Sequence, residues 1–183
     1  MRQGGEVYRY DGTWPGFLCC VFECFERREA PAGIEGEEGG QQSLYPARRV
    51  PTDPEKARRV ARWLETGLGG EVSALAREGF LSSLPQKEMH LLRLLLLARK
   101  MGPGAAAAYG DASVAALRAA VYGMQQEAHL LTGFVRFVEH GGVLTATVSP
   151  KHQVLQRLGP HFSGRFPGER IVLYDDSHGL ARW

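Results

Sequence analysis

The sequence predicts an α+β fold, a mostly helical single domain over residues 1–183 with a small antiparallel sheet built from N-terminal and C-terminal strands. Three observations predict it. Apolar residues recur at helical spacing in several long segments. Short β-rich runs occur only toward the two ends of the chain. No strand–helix–strand crossover with a phosphate loop is visible, because Gly102-Pro103-Gly104 follows a helix rather than a strand. At 183 residues, 44% hydrophobic and 23% charged, the chain suits one globular domain and not a disordered chain or repeat array.

Val7-Tyr8-Arg9-Tyr10 alternates and is aromatic, and Asp11-Gly12 can turn it, so a short N-terminal strand opens the chain. Residues 14–28 carry Phe17, Leu18, Val21, Phe22 and Phe25 at helical spacing, with Thr13 as cap and Pro15 in the first turn. Residues 29–46 hold glycine, proline and acids without an apolar period, which predicts a flexible surface loop. A second strand is expected over 48–52. Asp53-Pro54-Glu55 then supplies an N-cap followed by proline at the first helical position, opening a helix to about Thr66. Two more helices are expected over 71–82 and 86–101, the latter leucine-rich nearly all round and therefore buried. Asp111 precedes an amphipathic pattern from Val114 to Val138 that stops at Gly141-Gly142. Residues 143–148 alternate as a strand, 150–158 read as a helix and 170–174 as a strand. The run Asp175-Asp176-Ser177-His178-Gly179 can turn the last of these into a hairpin.

Charge narrows the partners only a little. The formal balance is 22 − 20 = +2, well short of a strongly basic nucleic-acid binder. Residues 1–76 hold 10 basic and 12 acidic side chains and residues 77–183 hold 12 and 8, so the basic surplus lies in the C-terminal part. Arginine outnumbers lysine 18 to 4, and guanidinium grips phosphate bidentately where ammonium is a point charge. The three cysteines, Cys19, Cys20 and Cys24, crowd into one segment and read as small buried side chains in a reducing compartment. No apolar run reaches the ~18 residues that cross a bilayer, and no apolar signal core opens the chain, so a cytoplasmic protein without membrane insertion is expected.

Two constellations could carry chemistry. In the first, Glu127 and His129 could act as an acid/base pair, but two residues apart on a helix they turn about 200° from each other. His129, Thr132 and Arg136 make a better same-face set. Gly133 interrupts this helix at a cost of roughly 1 kcal/mol against alanine, which suggests a close approach there. The second constellation is His161-Phe162-Ser163-Gly164-Arg165-Phe166, preceded by His152 and followed by Asp175. Arg165 suits phosphate, and Phe162 and Phe166 could stack on bases or else belong to the core. A hydrolase triad of Ser163, His161 and Asp175 can be drawn, but Ser163 lacks the glycine-flanked nucleophile elbow. The six histidines are scattered without ligand spacing, so no metal site and no cofactor are expected.

Ordered motifs run along most of the chain: Tyr10-Asp11-Gly12-Thr13-Trp14-Pro15-Gly16-Phe17, Thr52-Asp53-Pro54-Glu55-Lys56-Ala57, Glu127-x-His129-x-x-x-Gly133-Phe134-x-Arg136-Phe137 and Pro160-His161-Phe162-x-x-Arg165-Phe166. With them the chain resembles a bacterial DNA-metabolism family of unknown function. The resemblance implies a gene beside that of a radical-SAM DNA repair or modification protein, and related domains fused to uracil-DNA-glycosylase-like domains. It implies as well a chain that continues past the strand at Tyr174-Asp175. Glu127, His129, Arg136, His161 and Arg165 match motif positions. The resulting expectation is an accessory of DNA repair or modification that binds DNA, a radical-SAM partner enzyme, or both, with Arg136, His161 and Arg165 on the contact surface. A radical-SAM cluster needs Cys-x-x-x-Cys-x-x-Cys, and only Cys20-x-x-x-Cys24 is present, so radical chemistry is assigned to the partner. The alternatives are a base-excision or hydrolytic enzyme, with Glu127 or Asp175 as base and His129 or His161 as acid, and a pure interaction scaffold.

Overall fold

A computed structural model describes residues 1–36 and 45–183. They form two compact units, Met1–Phe80 with Leu84–Arg118, and Leu81–Ser83 with Ala119–Trp183.

In the first unit, β1 (Arg2–Gln3) and β2 (Val7–Tyr10) lead into helix α1 (Trp14–Arg27), and β3 (Glu29–Ala30) and β4 (Gly33–Gly36) follow. Thr13 caps α1 as its spacing predicts, its hydroxyl accepting the Gly16 N–H at 3.1 Å. After β5 (Ala47–Arg49) comes α2 (Pro54–Gly67), capped by Asp53, whose carboxylate accepts the N–H groups of Glu55 at 2.8 Å and Lys56 at 3.2 Å. That cap stabilises the helix by about 1 kcal/mol. Helices α3 (Gly70–Leu81) and α4 (Lys87–Met101) complete the unit, with a 3-10 stretch over Gly102–Ala107 and the first turns of α5 (Ala112–Phe134). Asp111 opens α5 by accepting the N–H groups of Ser113 and Val114. Leu91, Leu92, Leu94 and Leu95 of α4 are buried, as the leucine-rich pattern demands. Gly79 of α3 lies so close to Leu117 and Leu91 that a methyl group there would stand 2.8 Å from the leucine at 117.

The second unit holds the rest of α5, then β6 (Val138–His140), β7 (Val143–Val148), α6 (Leu155–Arg165), β8 (Arg170–Asp175) and β9 (Leu180–Arg182). Its sheet has the order β6-β7-β8-β9, with β7 and β8 parallel and both edge strands antiparallel to their neighbours. One face packs Ala146, Val148 and Leu173 against Met124 and Ala128 of α5 and against Leu155, Leu158 and Phe162 of α6.

The architecture is α+β with small sheets, and several expectations are corrected in detail. The single antiparallel sheet joining the two ends of the chain does not form. Strand β2 lies centrally between β4 and β5 and pairs parallel with both, while the C-terminal strands pair among themselves. Parallel pairing follows from a helix between paired strands, which returns the chain to its starting direction. Both units contain such a crossover, β2–α1–β4 and β7–α6–β8, neither with a phosphate loop. The loop expected over 29–46 contains β3 and β4; its residues 37–44 lie outside the described residues. Helix α5 ends at Phe134 rather than at Gly141-Gly142, because both of those glycines adopt positive φ (58° and 75°) and make the β6–β7 turn. Helix α6 is displaced C-terminally from 150–158 and takes Pro160 into its interior. Among the described residues no helix is long and apolar enough to cross a membrane.

Candidate nucleic-acid interface

Three rings organise one end of the C-terminal unit. Phe137 meets Phe162 edge-to-face with centroids 4.9 Å apart and Phe166 at 5.4 Å. Phe162 is 2% exposed and Phe166 half-buried against the same core. Phe162, expected as a stacking surface for bases, is therefore part of the core: its position on α6 faces the sheet, and Phe137 fills the space over its edge. Each ring has an exposed polar neighbour in sequence, Arg136 before Phe137, His161 before Phe162 and Arg165 before Phe166. Among the described residues Arg136 and His161 have no ion-pair partner, and the Arg165 guanidinium rests 5.8 Å from the Phe166 centroid. Packing the three rings together thus gathers two guanidiniums and an imidazole around one cluster. Arg136 lies beyond the end of α5, so the same-face set with His129 and Thr132 does not exist. Gly133 has open space where a Cβ would point, and no close approach explains it.

The acid/base candidates are placed differently. No hydrogen bond or ion pair joins any two of Glu127, His129, His161 and Asp175. Glu127 is half-buried on α5 and its two oxygens accept consecutive backbone N–H groups, from Lys151 at 2.7 Å and His152 at 2.9 Å, which pins the segment leaving β7. His129 is exposed. Asp175 is fully buried at the carboxyl end of β8, where its carboxylate accepts the His178 backbone N–H at 3.1 Å and the ring Nδ1–H at 2.8 Å. That commitment excludes the triad with Ser163 and His161, both of which are exposed on α6.

Sequence reasoning passed over the roles of Ser83, His152 and His178. His152 is buried, and its Nδ1 accepts the Ser83 backbone N–H at 2.9 Å with the Ser83 hydroxyl at 3.1 Å, which places the neutral ring's proton on Nε2. The signal that could have found His152 and His178 is topological. They follow the carboxyl ends of adjacent parallel strands, where polar sites of α/β units collect. Burial pushes the His152 pKa down; the Glu127 carboxylate opposes this, and Lys151 and His178 reinforce it. A histidine depressed in the folded state contributes stability that is fully present above its unfolded value of about 6.5 and is lost as pH falls through the lower folded value. The urea midpoint is therefore expected to fall between about pH 7.5 and pH 5.5 by more in the wild type than in His152→Asn, which keeps an acceptor near Nδ1 and cannot titrate. Equal drops in both proteins would show that His152 is not the group responsible.

Cys19, Cys20 and Cys24 are all buried and free. Burial raises the pKa of each thiol, that of Cys24 to about 12, so none offers a thiolate at neutral pH. Among the described residues no group of three or more histidine, cysteine, aspartate or glutamate side chains is arranged to hold a metal ion.

A family model described as a domain of unknown function, DUF4130, matches residues 85–183, which include α4, α5 and the whole C-terminal sheet. No curated protein and no solved structure matches the chain. Because the matched region is more than half of the sequence and contains every element that builds the aromatic cluster and its cationic rim, the chain belongs to the DUF4130 family.

Proposed function

We propose that this chain is an accessory protein of DNA repair or modification that holds DNA on its C-terminal unit for a radical-SAM partner enzyme. The observation that carries the reading is the rim of Arg136, His161 and Arg165 around the Phe137, Phe162 and Phe166 rings. A guanidinium exposed beside a rigid ring cluster costs little to immobilise on a phosphate. The buried, protonated cysteines leave cluster-based radical chemistry to the partner.

The test is fluorescence anisotropy of the full chain with labelled single- and double-stranded DNA across a salt series, alongside an Arg136→Ala, Arg165→Ala double variant. The expected result is log K falling with log salt, with the slope shallower in the variant by about 1.4 to 1.8, two phosphates at roughly 0.7 to 0.9 each. No binding at low salt, or an unchanged slope in the variant, overturns the reading. A second reading, base excision or hydrolysis, draws on a different residue set from the one expected: a buried carboxylate that orients the His178 imidazole and leaves Nε2 free. DNA turnover by the wild type that disappears in His178→Ala would establish it.

A further inference from the structure

The C-terminal sheet has two faces, and among the described residues only one of them contributes to the buried core. Residues on the inner face, Ala146, Val148 and Leu173, belong to the core with α5 and α6. Because side chains alternate along a strand, the paired residues between them face the other way. The register puts Val138, Thr145 and Val172 in one row across β6, β7 and β8, and Thr147, Tyr174 and Ala181 in the next. Burial follows this alternation: on β8, Leu173 and Asp175 are buried while Tyr174 is 44% exposed. Thr147 and Ala181, on either side of Tyr174, are exposed as well. Trp183, which follows β9 and by alternation shares the side of Ala181, is 90% exposed.

Charge on this face has one sign. At its β6–β7 end stand His140 and Arg170, opposite Val143 in neighbouring pairs, and the Arg170 guanidinium reaches the turn, 3.5 Å from the Gly141 carbonyl. No residue that the pairing places on this face is acidic; Glu139 and Asp175 both fall on the other side. An open face with an aromatic ring in its last row, threonine hydroxyls beside it and the Arg170 guanidinium at the opposite end fits a polyanion that also presents flat, unpaired rings. Duplex DNA keeps its bases stacked on one another; a single strand offers them.

We infer that the open face of the C-terminal sheet is a platform for single-stranded DNA, with a base stacked on Tyr174 and the phosphates running toward Arg170 and His140. This rests on the DNA-binding reading and deepens it by naming the strand type and the stacking residue. Thr145 donates its hydroxyl hydrogen to the Val138 carbonyl at 3.1 Å, which fixes the floor on which the strand would lie.

The experiment is anisotropy of the full-length chain with a labelled oligothymidylate of roughly ten nucleotides, within the span of about 4 to 16 that single-strand sites cover. A labelled duplex of similar length is the comparison, and wild type, Tyr174→Ala, Tyr174→Phe and the Arg136→Ala, Arg165→Ala double variant are measured. Tyr174→Ala is expected to weaken single-strand binding by roughly 5- to 100-fold, the loss of one stacked base, with the salt slope unchanged. Tyr174→Phe, which keeps the ring, is expected to bind within about 3-fold of wild type. Circular dichroism of each variant reports folding. Wild-type affinity in Tyr174→Ala, together with loss in the arginine double variant, overturns the platform and leaves the DNA-binding reading standing. Equal weakening of duplex and single strand by Tyr174→Ala overturns the strand preference. No binding by the wild type to either probe overturns both readings.

Discussion

Phe162→Ala is expected to destabilise the C-terminal unit by about 3 to 5 kcal/mol, the range for emptying an aromatic site that the surroundings cannot refill. The side chain is 2% exposed and sits among Leu155, Leu158, Val154 and Leu173, with the Phe137 ring edge-on at 4.9 Å. Those neighbours come from a helix, a strand and the chain between α5 and β6, so relaxation would have to move three elements at once. Phe162→Leu keeps most of the apolar volume and is expected to cost on the order of 1 kcal/mol. Urea unfolding followed by far-ultraviolet circular dichroism measures both. Against a typical domain stability of about 5 to 15 kcal/mol the first loss is severe. The two variants also separate the roles of this ring: a base-stacking residue would lose DNA affinity on truncation with little change in stability. A destabilisation under about 1 kcal/mol in Phe162→Ala would contradict the core assignment.

The fold was legible where the signal is local. Thr13, Asp53 and Asp111 each predicted a helix start from one side chain, and each accepts the N–H groups that its position requires. The end of α5 was not legible, because Val135, Phe137 and Val138 continue an apolar pattern although the helix ends at Phe134 and β6 begins at Val138. Periodicity reports which residues are apolar, and both a helix and a strand facing one core can satisfy it over so short a run. Strand pairing was hidden for another reason: Val7 to Tyr10 reads the same whether its neighbours run parallel or antiparallel, and Gly33 to Gly36 carries too few apolar residues to read as a strand at all. At the candidate interface, Arg136, His161 and Arg165 come from the motif resemblance and the C-terminal basic surplus, and all three are exposed. Tyr174 carries no such local signal, because the open face around it requires the register of four strands. His152 and His178 were missed as a group because β7 and β8 had first to be known as parallel neighbours.

Gly16→Ala is expected to destabilise the first unit by about 2 to 4 kcal/mol, at or above the usual cost of overpacking. A methyl group on Gly16 would stand 2.2 Å from Asp11 Oδ1, 2.9 Å from Thr52 Oγ1 and 3.0 Å from the Tyr10 ring. None of these can withdraw cheaply. Asp11 accepts the Thr13 N–H at 3.0 Å, the Thr13 hydroxyl at 2.7 Å and the Thr52 hydroxyl at 2.6 Å, and Tyr10 donates to Glu88 at 2.9 Å from a buried position. Burial alone would raise the Asp11 pKa, but these hydrogen bonds outweigh it and hold the carboxyl below its ordinary value. The clash therefore ejects a side chain that ties β2, the start of α1 and the approach to α2 together, and the hydrogen bonds go with it. The Asp11 contribution is present above the unfolded carboxyl pKa near 3.9 and is lost as pH falls through the lower folded value. The gap between wild type and Gly16→Ala should then narrow in acid, below about pH 4. Urea midpoints at neutral pH and at about pH 3.5 give both quantities. A gap that stays constant with pH would assign the cost to the Tyr10 ring rather than to Asp11. The Tyr10-Asp11-Gly12-Thr13-Trp14-Pro15-Gly16 run is thus explained by packing at the carboxyl end of a central strand, and DNA affinity per folded molecule is expected to be unchanged in Gly16→Ala, because Arg136, Arg165 and Tyr174 lie in the other unit.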